Sequence, residues 1–242
     1  MNFDWNSETI RWYQAANEYT GFNKKIAALI APKLAGYTSL CDIGCGLGLV
    51  DMELCQSINK ITCIDISGAA IAFLKKTAAD RNIKNIHALL QDCSHLTGTW
   101  DVIYISFFGS RIFKSFLPHC KKLIVVVSAK NKPELYPGSY RKYKKNTVAA
   151  FKQDLDSQGI PYSLTEATFN FGQPLASLED AHKFVLNYSP QASPDEVANF
   201  LSQNLTETDD KTYPLFLPHN KSIGIFEIKG ELFIPGLGNG YC

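Results

Sequence analysis

Apolar residues recur with a helical period at the start of the chain. Trp12, Ala16 and Tyr19 fall at i, i+4 and i+7, which predicts a helix capped by Ser7 and running to about Tyr19. Thr20-Gly21 breaks it, and a second helix from about Asn23 fails near Pro32. The period then changes. Residues 39–43, 61–65, 86–90, 101–106 and 123–128 are short apolar runs of the kind buried on both faces of a sheet. A helix begins near Gly48, and Ser67 caps another that runs to about Asp80. Strands alternating with helices predict βαβ units and a doubly wound, mostly parallel sheet.

The pattern loosens after Ser128. Residues 130–145 carry Lys130, Lys132, Arg141, Lys142, Lys144 and Lys145 among Pro133, Pro137 and Gly138, and predict a basic loop. Val148, Phe151 and Leu155 mark one face of a helix that ends at Gly159. A strand at about 164–171 comes next. Two helices follow, one opening on Ser177-x-x-Asp180 and one on the capping box Ser193-Pro194-Asp195-Glu196. Residues 221–229 predict a last strand, and a Gly-rich tail closes the chain.

Composition narrows the class. The 242 residues hold 24 Lys+Arg against 23 Asp+Glu, a formal net charge of +1, which argues against binding nucleic acid by bulk charge. Apolar residues make up 45%, a globular value. Uninterrupted apolar runs reach only about six residues where a membrane helix needs about 20. The seven cysteines are odd in number and form no CxxC pair, so we expect reduced thiols, no disulfide and a cytoplasmic protein. The five histidines show no HxxxH spacing, so no metal is expected.

The chemistry concentrates in Asp42-Ile43-Gly44-Cys45-Gly46-Leu47-Gly48. Alternating glycines after a strand let the backbone approach a ligand closely. A dinucleotide GxGxxG loop would need glycine at 49 or 51, and these are Leu49 and Asp51. No Gly-Lys-Ser/Thr follows, so a phosphate-binding P-loop is also excluded. The motif D-x-G-x-G-x-G at the end of a first strand resembles the S-adenosylmethionine loop of class I methyltransferases. Asp65 at the end of the second strand, Asp92 after the third and Asp101 opening the fourth extend the resemblance over about residues 36–130.

That resemblance implies a Rossmann-like, seven-stranded sheet with an antiparallel last strand, and S-adenosylmethionine as cofactor. It implies one domain: residues 1–37 a helical lid, 38–130 the cofactor core, 131–220 the acceptor-side helices and strand, and 221–242 the last strand and tail. The implied cofactor contacts are Asp42, Gly44, Cys45, Gly46, Gly48, Asp65, Ile66, Asp92, Cys93 and Ser106. Asp65 would accept from two ribose hydroxyls, and Asp92 would face the adenine amino group. Tyr13, Tyr19, Phe107, Phe108 and Arg141 are the expected acceptor contacts, and His95 or Tyr19 the candidate base. The turn Ser106-Phe107-Phe108-Gly109 lacks the Asn/Asp-Pro-Pro-aromatic signature of enzymes acting on nucleobase or glutamine amides, which lowers that reading, and a small-molecule acceptor is expected because the chain is nearly neutral and shows no appended nucleic-acid module. The rival readings are an RNA or protein methyltransferase using the 130–145 loop, a non-catalytic cofactor sensor, and an aminopropyltransferase, which would need an acidic amine site.

Overall fold

Asn6, not Ser7, caps the first helix. Its side chain accepts from Glu8 N and Thr9 N, while Thr9 Oγ1 accepts from Asn6 N at 2.9 Å, a reciprocal capping box. Helix α1 (Ser7–Thr20) closes on Gly21, left-handed at φ 64°, and α2 (Phe22–Ile30) follows directly. A 3₁₀ turn containing Pro32 ends that helix. These coordinates are a computed structural model that describes residues 3–107, 112–129, 134–137 and 146–231.

The alternating region folds as the pattern predicts: β1 (Ser39–Ile43), α3 (Leu49–Leu54), β2 (Lys60–Asp65), α4 (Gly68–Asp80), β3 (Ile86–Leu90), β4 (Trp100–Ser106) and β5 (Cys120–Ser128). Then come α5 (Val148–Ser157), β6 (Tyr162–Asn170), β7 (Gln173–Leu175), α6 (Leu178–Tyr188), α7 (Pro194–Asn204), β8 (Thr206–Glu207), β9 (Leu215–Leu217) and β10 (Asn220–Lys229). Seven strands form one sheet in the order β3-β2-β1-β4-β5-β10-β6. β1 to β5 run parallel, and β10 pairs antiparallel with both β5 and β6. The order reverses between β1 and β4, the switch point where open α/β sheets bind ligands.

Each face of the sheet buries its own cluster. Phe22, Ile26, Leu40, Leu74, Tyr104 and Ile225 lie on one side; Ile43, Ile103, Phe116, Phe151 and Phe226 lie on the other. A third cluster joins Trp12 of α1 to Leu175, Phe184, Val197 and Leu217. It is organised by a second, three-stranded sheet, β7-β9-β8, that the hydrophobic pattern did not predict. Ser177 caps α6 by accepting from Asp180 N, but the Asp180 carboxylate turns elsewhere and closes no capping box. Ser193 and Glu196 do close one on α7.

Asp101 braces the opposite, N-terminal edge of β4. One carboxylate oxygen accepts from Thr38 N at 2.8 Å and Ser39 N at 3.0 Å, and the other pairs with Lys121 at 2.6 Å. Partial burial works against its charge, but Lys121 and these donors hold the carboxyl well below the usual range. Its role is structural, since it ties β1, β4 and β5 at the end away from the switch point.

Candidate functional site

At the switch point β1 gives way to a turn whose backbone is left-handed at Gly44, Gly46 and Gly48, with φ 73°, 54° and 63°. Gly44 N and Cys45 N both donate to Ile64 O of β2, which pins the turn to the sheet. Gly46 is required twice over: its φ disfavours a side chain, and an added Cβ would lie 2.8 Å from Cζ2 of Trp5. The missing side chain leaves a cradle over the loop, and the Trp5 indole covers it.

Asp65 stands beside this cradle. Oδ2 accepts from Gly46 N and Oδ1 from Ser67 N, each at 2.8 Å. The loop therefore fixes the carboxylate while each oxygen keeps a further lone pair. Such a group suits two neighbouring hydroxyls, so the donor set and the cradle fit the adenosyl part of S-adenosylmethionine. Ile66 is 50% exposed next to it, an apolar surface at the cleft rim. Asp92 is exposed and accepts from Ser94 N and Ser94 Oγ at 2.8 Å, bonds that lower its carboxyl below the ordinary value. Cys93 is half-buried, and burial raises its thiol. His95 ends the same 3₁₀ turn, exposed, with its carbonyl accepting from Gln91 Nε2 at 3.0 Å.

Under the loop lies a polar row. Register pairs Asp42 with Cys63 on β2 and with Tyr104 on β4, so the three side chains stand side by side on one face. α3 adds Asp51 and α2 adds Asn23, both almost wholly buried. Burial pushes Asp42 well above the carboxylate range and Asp51 up to about 6, and each carboxyl bears on the other. Cys45, in the turn, and Cys63 face one another beside them, and both thiols are raised. Of this row, sequence reasoning found Asp42 and Cys45 and missed Asp51, Asn23 and Tyr104. Asp51 was visible only as a carboxylate among Val50, Met52 and Leu54.

Aromatic rings close the cleft. Trp5 meets Tyr13 edge-on at 5.4 Å, and Tyr13 meets Phe171 at 5.6 Å. Burial pushes the Tyr13 phenol up to about 12, so it stays neutral. Beyond the end of β4 at Ser106, Phe107 is held left-handed at φ 53°, which is unusual outside glycine. Its ring stacks on Phe22 and lies 3.6 Å from Lys221 Nζ, an ammonium also within 5.1 Å of Phe22 and 5.0 Å of Phe171. Phe22, Phe171 and Lys221 went unnoticed as site residues in the sequence, where nothing marks rings brought together from distant segments; Trp5 stood out there only as part of an aromatic N-terminus. Tyr19 goes elsewhere: it is 42% exposed and packs on Phe216 of the small sheet at 5.1 Å. Phe108 and Arg141, with most of the basic stretch, lie outside the described residues.

Known proteins share this architecture. A family model described as a methyltransferase domain matches residues 40–123, which span β1 to the start of β5. The magnesium protoporphyrin IX methyltransferase of Synechocystis PCC 6803, solved with bound S-adenosylhomocysteine, is 14% identical with a TM-score of 0.53, over 95% of this chain and 90% of that one. The YcgJ protein of Bacillus subtilis is 13% identical with a TM-score of 0.54, over 85% of this chain and 98% of that one. The cyclase SpnF aligns equally well, at 14% identity and a TM-score of 0.54 over 87% and 82%, so the shared fold does not by itself fix the reaction. No curated protein matches the sequence.

Proposed function

We propose that the chain, whose residues 40–123 match a methyltransferase-domain model, is a class I S-adenosylmethionine-dependent methyltransferase that methylates a small-molecule acceptor. The observation that carries the acceptor reading is the aromatic cluster at the end of β4. Phe107, half-buried, packs over the buried Phe22 and Phe171 around the Lys221 ammonium. A left-handed phenylalanine costs on the order of 1–3 kcal/mol, and such strain collects where a side chain must be aimed. Aromatic surface of this kind suits a flat or apolar molecule. The named magnesium protoporphyrin IX methyltransferase acts on a molecule of that general kind, which supports the reading by analogy.

In this reading S-adenosylmethionine, when bound, supplies an activated sulfonium methyl. The protein's part is to orient. Asp65 holds the ribose hydroxyls, braced by Gly46 N and Ser67 N. Ile66, Asp92 and Cys93 line the adenine side. Gly44, Gly46 and Gly48 let the backbone approach, and Ser106 and Phe107 bound the acceptor side. Pre-ordering two reactants contributes about 7–11 kcal/mol, enough to carry the reaction by placement. Residues 1–37 serve as the lid: Trp5 covers the Gly46 cradle, so the Phe3–Trp5 segment swings off the loop for the cofactor to enter and closes again to exclude water. Residues 131–220 build the acceptor side, and Tyr13, edge-on to Phe171, borders it. We place the protein in the cytoplasm, a reading supported by the seven cysteines of the sequence forming no CxxC pair.

The test is transfer of a labelled methyl group from S-adenosylmethionine into a cell extract, followed by size fractionation. Label is expected in the small-molecule fraction, and Phe107→Ala is expected to cut incorporation at least about tenfold, mostly through KM. Label in RNA or protein would overturn the acceptor class. Binding without transfer to any fraction would favour a cofactor sensor.

A further inference from the structure

The polar row beneath the loop has more acid than its surroundings can satisfy. Asp51 is 0% exposed and Asp42 3%. Asp42 Oδ1, both Asp51 oxygens, the Tyr104 hydroxyl and Asn23 Nδ2 have no hydrogen-bond partner among the described residues. Buried polar atoms are ordinarily paired, and the Asp42 and Asp51 carboxyls, which bear directly on each other, can be paired only through a shared proton. The groups that face the two carboxyls are Cys63 from β2, Cys45 and Asp65 from the loop side, Tyr104 from β4 and Tyr13 from α1. The charges that act most strongly on Asp42 are those of Asp51, Cys45 and Asp65, all of one sign. Two facing carboxyls in such a site cannot both be ionised, so they hold one proton between them.

Resting on the cofactor reading above, we propose that Asp42 and Asp51 are a one-proton cation sensor beneath the loop, which releases its proton when S-adenosylmethionine binds. The two ends of the reaction differ in charge. S-adenosylmethionine carries a sulfonium and an ammonium against one carboxylate, a net charge of +1. S-adenosylhomocysteine keeps the ammonium and carboxylate but has a neutral sulfur, a net charge of zero. A cation above the pair stabilises its fully ionised form; the carboxyl O–H then breaks and the proton passes to buffer. Once the methyl is transferred the cation is gone, the pair takes a proton back, and the product loses part of the attraction that held the cofactor. Asp51 thus becomes a positioning residue for cofactor over product.

Calorimetric titration of the full chain in three buffers of different ionisation heat, at pH 7.5, reads the protons released. The slope for S-adenosylmethionine is expected to be about half a proton or more, and near zero for S-adenosylhomocysteine. S-adenosylmethionine affinity should therefore rise with pH while product affinity stays flat. Asp51→Asn should abolish the slope and lower the preference for cofactor over product several-fold. Equal slopes for the two ligands, or a wild-type slope in the variant, overturns the sensor while leaving the cofactor assignment standing. No binding heat for either ligand overturns both. If Asp51→Asn fails to fold, carboxyl carbon NMR of the aspartate-labelled wild type decides. A carboxyl resonance that moves with S-adenosylmethionine and not with product supports the sensor, and resonances that respond alike to both refute it.

Discussion

Replacing Asp65 by alanine lowers affinity for S-adenosylhomocysteine by about 100-fold or more. The loss has two sources. A carboxylate that accepts from two ligand hydroxyls makes charged hydrogen bonds, worth about 1.5–3 kcal/mol each. The same carboxylate also fixes the loop, since its oxygens hold Gly46 N and Ser67 N at 2.8 Å. Without it the amide of Gly46 loses its acceptor and the turn loses the brace that shapes the cradle. Asp65→Asn separates the two roles. Its single oxygen can hold Gly46 N or Ser67 N but not both, so about a tenfold loss is expected. Calorimetry with S-adenosylhomocysteine measures the affinities, and thermal melting measures the loop. A lower melting temperature at unchanged affinity would make Asp65 a loop brace and nothing more.

What could be read in advance follows from how far along the chain each cause acts. Gly44, Gly46 and Gly48 were legible because a left-handed backbone is written in the residue type itself. The parallel strands were legible because burial on both faces leaves continuous apolar runs. Asn6 and Ser7 cap equally well in isolation, and Thr9 at the third helical position decides between them by closing the box. The small sheet escaped because strands of three, three and two residues are too short to show a period. Asp51 escaped for a different reason. The apolar stripe that identified its helix treats a lone acid as the solvent side, yet α3 packs that acid onto Asp42. Trp5 over Gly46 is joined by 41 residues of chain and Lys221 among its three rings by at least 50, and no local pattern encodes them.

Asp180→Ala lowers the melting temperature by about 6–12 °C at pH 7. This carboxylate from α6 accepts from Trp12 Nε1 at 2.9 Å and Ala176 N at 3.1 Å and pairs with Arg11 at 2.5 Å, so it fastens the first helix to the rest of the molecule. The alanine variant leaves the buried Trp12 N–H and the Ala176 N–H without acceptors, at about 1–3 kcal/mol each. A total near 3 kcal/mol corresponds to about 2–4 °C per kcal/mol in a chain of this size. Asp180→Asn keeps an acceptor for Trp12 and should recover at least half of the loss. The effect also has a direction in pH. Burial works against the Asp180 charge, but Arg11, Ala176 N and Trp12 outweigh it and hold the carboxyl below its ordinary value. The folded state therefore binds its proton later than the unfolded chain as pH falls. The contribution is complete above about pH 5 and is lost as pH drops through the ordinary carboxyl range toward the lower folded value. The gap between wild type and Asp180→Ala should accordingly narrow below about pH 4. An unchanged melting temperature at pH 7 would mean that α1 docks through Trp12 and Phe184 alone. A gap that persists at low pH would assign the effect to shape and not to charge. Because α1 also carries Tyr13 and follows directly from Trp5, the same variant should loosen the cover over Gly46, and tryptophan emission read alongside the melt would report that loosening before the sheet gives way.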